Sequence, residues 1–335
     1  MRLIDLHADW LLQYAPESVV FDPALYPGVA GRLPQVDGYL QSTGAAILSC
    51  YRDAEDWAKQ ADPWAALGEL ITRIEAEFPG RLLIGPDDFD RWRDDRDGLT
   101  WGMIGVEGFD ALVRSPDDLA RLPRLFERGV RLFQPVYTST SLLGGSSAPG
   151  DDRGLTDLGR AFLETLLALS PEGNGPRPLF DLAHLNPPAM SDALAWFEAD
   201  PSRAGRVFPI YSHGAPVHPG FEAPRAISID NLTRLRALGG VVGVSISPPF
   251  FQTPEQVREA VELVASIPFE GRPGHEGIAI GTDFLGVNQT LPGLRNAAEV
   301  VTWAIASFDR PMAKAIVLGN GLALLGRVTG VAGRS

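Results

Sequence analysis

The stretch Leu3-Ile4-Asp5-Leu6-His7-Ala8-Asp9-Trp10 decides how this chain is read. Leu3–Leu6 is a short run that fits a buried strand. His7 and Asp9 follow two residues apart, so on extended backbone both side chains point to one face. An imidazole and a carboxylate converging at a strand end are two ready ligands for a divalent metal. Alone, the pair reads equally well as a His and an Asp in an N-terminal turn. The remaining chain must supply further ligands at strand ends for a metal-dependent hydrolase barrel to be implied.

Working outward, short apolar runs alternate with helical patterns along nearly the whole chain. Expected strands are Leu3–Leu6, Gly44–Cys50, Gly102–Val106, Val130–Val136, Pro178–Leu182, Val207–Tyr211, Gly240–Ile246 and Gly277–Ile280. Expected helices are Asp56–Phe78, Pro116–Arg128, Asp157–Leu169, Pro188–Ala199, Asp230–Leu238, Pro254–Ser266 and Pro311–Leu318, several with Pro, Asp or Ser near the start. Strand-then-helix repetition means parallel strands joined by right-handed crossovers. Eight strands point to an α/β fold, a (β/α)8 TIM-type barrel of the metallo-dependent hydrolase kind, formed as a single domain over residues 1–335. An open doubly wound sheet is the alternative, but the chain has neither a GxGxxG after the first strand nor a GxxxxGK[ST]. Leu11–Gly38 and Ser139–Gly154 read as long loops on the active face.

Composition narrows the partners. The formal net charge of −13, spread along 335 residues, argues against nucleic acid and against an anionic membrane surface. No uninterrupted apolar run has the length of a membrane span, and no leader segment is expected. The one cysteine, Cys50, excludes an intramolecular disulfide and reads as a core residue; a reducing, cytoplasmic setting is expected. There is no GxSxG elbow for a serine hydrolase.

In such a barrel the chemistry sits where strands end. His7 and Asp9 end the first strand, Glu107 the third, His184 the fifth, His213 the sixth and Asp283 the eighth. Three of only five histidines fall at ends of different strands; His218 and His275 lie in Pro/Gly-rich loops and read as rim residues. Each residue alone has an ordinary explanation, such as a helix cap or a wall histidine. Jointly, three imidazoles and several carboxylates suit Zn²⁺ or a similar ion. The set exceeds what one catalytic ion needs, and two ions sharing a carboxylate use it better. Glu107 is the candidate bridge, Asp283 is left free as a proton shuttle, and the role of Asp181 stays open.

These motifs resemble those of the membrane (renal) dipeptidase family of binuclear zinc peptidases. His7-Ala-Asp9 is similar to the family's opening His-x-Asp, and Gly105-Val-Glu107-Gly to its bridging-glutamate motif. Gly154-Leu-Thr-Asp-Leu-Gly159 with Phe180-Asp-Leu-Ala-His184, Ile210-Tyr-Ser-His213, Ile280-Gly-Thr-Asp283-Phe and Leu318-Gly-Asn320 follow in the family's order. The resemblance implies two divalent ions, Zn²⁺ by expectation, one at His7, Asp9 and Glu107 and the other at Glu107, His184 and His213. It implies attack of a hydroxide held between them on the carbonyl of a small amide, a dipeptide first of all, with Asp283 carrying the proton. It also implies that Arg225, in Ala223-Pro-Arg225-Ala, binds the substrate carboxylate through paired hydrogen bonds.

Three departures stand out. Tyr137 takes the place of the family's fourth-strand histidine, Asp283-Phe-Leu285 replaces Asp-Phe-Asp, and no hydrophobic anchoring tail is read. The metal site is thus better supported than the substrate pocket. N-acyl amino acids, other small amides or lactones are alternative substrates, and a catalytically silent metal-binding barrel is a further alternative. A homodimer is carried as the expected assembly.

Overall fold

A computed structural model of the chain describes residues 1–14, 34–52, 54–219, 221, 224–248, 250–272, 274–287 and 289–331. The strands are β1 (Leu3–Ala8), β2 (Thr43–Cys50), β3 (Trp101–Glu107), β4 (Val130–Gln134), β5 (Leu179–Asp181), β6 (Phe208–Gly214), β7 (Val241–Val244) and β8 (Ile278–Ile280). They pair in chain order, all parallel, and β8 returns to β1 through Asp5 and Ile280, closing the barrel. All eight expected strands are present. Each is buried along its whole length, because one face looks into the barrel and the other is covered by helices. That double burial is why the strands read as continuous apolar runs. Ile4, Leu6, Ile47, Met103, Leu132 and Ile210 belong to one cluster at the centre, while a second, larger cluster joins the strands to the helices.

The crossover helices begin on side-chain caps that satisfy otherwise unpaired amides. Thr156 caps Asp157–Leu169, Asn186 caps Pro187–Glu198, Ser228 caps Ile229–Ala237 and Thr253 caps Pro254–Ser266. Other helices depart from expectation for local reasons. The continuous helix expected over Asp56–Phe78 is two, Ala54–Ala58 and Pro63–Glu77, because the Asp62 carboxylate accepts from the amides of Trp64 and Ala65 and restarts the helix at Pro63. Pro116–Arg128 divides into a tight 3₁₀ segment, Pro116–Arg121, and the helix Leu122–Glu127.

The helix expected to stop at Leu318 runs on. Arg310–Lys314 passes through a π turn, Ala315–Gly319, into Asn320–Thr329. The Asn320 amide donates to the carbonyls of His275 and Ile278 at 2.7 Å each, anchoring the entry to β8. Gly321 packs so close to β1 that a Cβ there would sit 2.6 Å from Ile4 Cγ2. Asn320 and Gly321 thus pack the continuing helix onto the barrel. Arg310–Thr329 is long and apolar enough to cross a membrane by length and composition alone, yet half of its most apolar window is buried on the barrel.

Three helices, Pro34–Ser42, Pro86–Asp94 and Ala297–Ser307, were not expected. Of the loop expected over Leu11–Gly38, Trp10–Tyr14 opens it as a 3₁₀ turn, its end is instead the start of the α-helix Pro34–Ser42, and residues 15–33 lie outside the described residues. Ser139–Gly154 is irregular as expected and bridges to Leu155 and Leu185. Cys50 is buried in β2. Of the two histidines read as rim residues, His218 is half-buried and stacked on Phe251, with ring centroids 5.2 Å apart.

Candidate metal centre and substrate pocket

The five expected metal-ligating residues converge. His7 Nε2 lies 3.0 Å from Glu107 Oε2 and 3.5 Å from Asp9 Oδ1. His184 Nε2 lies 3.0 Å from the other oxygen, Glu107 Oε1, with His213 Nε2 3.7 Å from that same atom. Glu107 therefore divides its two oxygens between two clusters. One is His7, Asp9 and Glu107, the other Glu107, His184 and His213, and the ligand atoms within each lie within 4.8 Å of one another. His7 and His213 are fully buried, with ring centroids 3.8 Å apart.

Buried carboxylates fix these side chains. Asp5, in β1, accepts from the His7 amide at 3.2 Å, the Tyr39 hydroxyl at 2.6 Å, and the amide and hydroxyl of Thr282 at 2.9 and 2.5 Å. It thereby ties His7 to the segment preceding Asp283. Asp181 does the same between β5 and β6, accepting from the amides of Ala183 and Ser212 at 3.0 Å each and from the Ser212 hydroxyl at 2.5 Å.

The Asp181 contacts also set a tautomer. Ser212 donates its only proton to Asp181, so its oxygen accepts from His213 Nδ1 at 2.8 Å. The proton on Nδ1 leaves Nε2 as a lone pair facing the cluster. Ser49 Oγ stands 3.3 Å from His7 Nδ1, and the Gln134 amide donates to Glu107 Oε1 at 3.3 Å.

Two of the expected residues have left-handed backbone, His184 at φ 66° and Asp283 at φ 55°, each three residues beyond its strand. Such conformations cost about 1 kcal/mol or more away from glycine and persist where the surroundings over-determine them. The amide of Asp283 donates to the carbonyl of His7, and that of Asp9 to the carbonyl of Phe284. Gly286 completes the approach, since a Cβ there would lie 2.1 Å from Asp9 Oδ2 and 2.3 Å from Asp283 Oδ1.

The electrostatics follow from burying these charges together. Burial alone would lower the His7 pKa, but Glu107 and Asp9 outweigh it and hold the ring protonated well above the usual range. Glu107 is held well below its ordinary value despite burial, by His7 and His184. Asp9 is pushed well up by burial and by the Glu107 charge, and Asp283 is raised chiefly by burial. His184 is lowered to about 3 by burial and by Arg225, and His213 falls well below its ordinary value by burial and by His7. Two neutral imidazoles at 3.2 Å, a pre-set lone pair and the buried carboxylate oxygens of Asp9 and Glu107 fit a divalent cation centre.

Above the cluster lies a cavity of about 580 Å³, lined among others by Asp9, Glu107, Tyr137, His184, Arg225 and Asp283. Arg225 stacks on Phe250 at 5.3 Å, and its Nη1 is buried without a hydrogen-bond partner among the described residues. Its carbonyl is held by the Tyr211 hydroxyl at 2.5 Å. Tyr137 lies on His184, ring centroids 4.3 Å apart. All eight expected site residues are thus at one place. The sequence reading did not single out Asp5, Ser212, Thr282, Gln134, Ser49 or Tyr51. Their one sequence signal is position: Asp5 two residues before His7, and Thr282 and Ser212 each directly before an expected site residue.

A closed parallel barrel carrying imidazoles and carboxylates at its strand ends is the architecture of the metal-dependent hydrolase barrels. Within that class the chain belongs to the membrane dipeptidase family, peptidase family M19, whose sequence model matches residues 40–332. That match begins after His7 and Asp9, which the geometry joins to the rest. The dipeptidase verJ of Clonostachys rogersoniana is 27% identical over 237 residues, covering 69% of this chain and 55% of that protein. The chain spans about half the length of this and two further curated relatives it matches. Among solved structures, the probable dipeptidase PvdM from Pseudomonas aeruginosa superposes with a TM-score of 0.73 at 16% identity, over 98% of this chain and 96% of that one. A metallo peptidase from Rhodobacter sphaeroides, liganded with a phosphinate mimic of the dipeptide L-Ala-D-Ala, gives 0.71 at 19% identity, over 98% and 99%. These two share the fold.

Proposed function

We propose that this protein is a metal-dependent hydrolase of dipeptides with a two-ion centre, Zn²⁺ being the ion its nitrogen and oxygen donors suit best. The observation that carries the reading is one cavity lined both by Asp9, Glu107 and His184 of the split-carboxylate cluster and by Arg225, whose buried Nη1 has no hydrogen-bond partner among the described residues. Its volume lies in the range of small-molecule sites.

His7, Asp9 and Glu107 would hold one ion and Glu107, His184 and His213 the other. Ions bound there polarise a carbonyl and acidify water. Arg225 grips the terminal carboxylate and fixes the substrate's register. Asp283, its pKa raised chiefly by burial, takes a proton at its carboxylate and returns it to the departing amine. Tyr137 donates a hydrogen bond to the substrate. The phosphinate dipeptide mimic on the Rhodobacter sphaeroides protein supports this substrate class by likeness.

A second reading retains the chemistry and changes the acyl side. An N-acyl amino acid offers Arg225 the same carboxylate, and Tyr137 alters the opposite wall. Metal analysis with a panel of dipeptides of both C-terminal chiralities, N-acyl amino acids and lactones separates these. Less than one tightly bound divalent ion per chain, with no metal-stimulated amide hydrolysis, would sink both. A metal-loaded protein silent on the whole panel would favour a binding barrel.

A further inference from the structure

Tyr137 does not stand alone in the pocket wall. Its ring touches His184 on one side and Tyr51 on the other, with centroids of the two phenols 4.7 Å apart at 52°. Tyr51 is the first residue after β2, and its hydroxyl is hydrogen-bonded to that of Tyr137. Of the two directions that pair allows, only Tyr51 donating to the Tyr137 oxygen leaves Tyr137 a proton for the cavity. A phenol has one proton to give. With Tyr51 donating to it, Tyr137 has no proton turned towards Tyr51, and its own O–H is left for the cavity. Accepting one bond also makes it the stronger donor of the next.

The backbone beneath is equally fixed. The amides of Gly108 and Phe109 both donate to the carbonyl of Gln134 at 3.1 and 3.2 Å, tying the end of β3 to β4. Gly108 has φ 81°, and a Cβ there would lie 3.1 Å from Tyr137 Cβ. Asp110 accepts from the Tyr137 amide and the Ser139 hydroxyl. The ring therefore approaches the cavity on a rigid support, with its hydroxyl as the remaining freedom.

We propose that Tyr51 is a positioning residue whose hydroxyl, by donating to Tyr137, commits the Tyr137 O–H to the substrate oxygen that gains negative charge as the amide is attacked. This rests on the amide-hydrolase reading above and adds a residue outside the cavity lining to it. The device needs no titration, because a phenol is a neutral donor throughout the physiological range. An oriented donor of this kind acts on the charge that develops and leaves ground-state binding nearly unchanged.

The test compares wild type, Tyr51→Phe, Tyr137→Phe and the double variant, each metal-loaded to the same content. Steady-state hydrolysis of a dipeptide and calorimetric affinity for a phosphinate dipeptide isostere are measured for each. Tyr137→Phe should lower kcat about 10²-fold. Tyr51→Phe should lower it about tenfold with KM within about twofold, the scale of one hydrogen bond acting through another. The double variant should be no worse than Tyr137→Phe, and phosphinate affinity should fall in step with kcat/KM. An unchanged kcat in Tyr51→Phe, a loss confined to KM, or two effects that multiply would each overturn the pairing. If wild type binds the phosphinate but turns over no dipeptide, the substrate reading falls while the affinity ratio still judges Tyr51. If it does neither, both fall.

Discussion

The Nε2 atoms of His184 and His213 face each other at 3.2 Å, and neither ring carries charge at neutral pH. The lone pair of His213 Nε2 is there met either by a proton on His184 Nε2 or by a cation that both nitrogens ligate. With the second triad broken, His213→Ala should reduce bound divalent metal by about one ion per chain, leaving the His7 cluster loaded. Elemental analysis of dialysed protein decides this; unchanged stoichiometry would remove His213 from the ligand set.

Loading the His7 cluster should expel protons. Metal-free His7 is charged, because Glu107 and Asp9 raise its pKa beyond what burial lowers, whereas a ligating imidazole must be neutral. About one proton per chain should leave His7 near pH 7, with any proton on the raised Asp9 adding to it. Affinity should therefore rise with pH across the neutral range. Calorimetry in buffers of different ionisation enthalpy reads the count directly, and buffer-independent heats would contradict it.

Asp181 bonds to three donors, and Asp181→Ala leaves the two buried amides unmet and frees the Ser212 hydroxyl towards His213. At about 1–3 kcal/mol for each unsatisfied group, a loss of about 3 kcal/mol or more is expected. Denaturant titration measures it. Metal affinity should fall as well, since nothing then sets the His213 tautomer. Asp181→Asn, which still accepts, should lose less on both counts.

Asp283→Asn retains the shape and removes the exchangeable proton. Turnover should fall by about 10²–10⁴-fold while metal content stays near that of wild type. Activity within twofold of wild type would transfer the proton-carrying role elsewhere.

Arg225 can be tested from the substrate side. Arg225→Met should lower kcat/KM for a dipeptide by about 10²-fold, roughly 3 kcal/mol for a charge-assisted pair. Amidating the dipeptide's C-terminus should cost wild type a similar factor and the variant little. Equal sensitivity of both proteins to amidation would place the carboxylate elsewhere.

How far the sequence carried this reading depends on where each signal lives. Strands covered on both faces leave unbroken apolar runs, so all eight were visible, and residues just past their ends could be picked out. Pro86–Asp94 was missed because it buries only Phe89 and carries no apolar stripe; Ala297–Ser307 was missed because it is apolar nearly all round. Asp5, Thr282 and Ser212 were silent for another reason. A lone hydroxyl acquires meaning only from the strand beside it, and neighbours such as β8 and β1 come from opposite ends of the chain. Tyr51 is the extreme case, reaching the pocket only through Tyr137.

Barrel closure also imposes an order in time. His7 and Asp9 on β1 and Glu107 on β3 are made before His184 and His213, and Asp283 follows them, just beyond the strand that must pair with β1. Chains fold from the N-terminal side as they are made. A chain stopped before His213 can offer the first triad but never a Glu107 divided between two complete ones. Both triads are therefore complete only once β6 has been made, and Asp283 joins them only when β8 has closed the barrel onto β1.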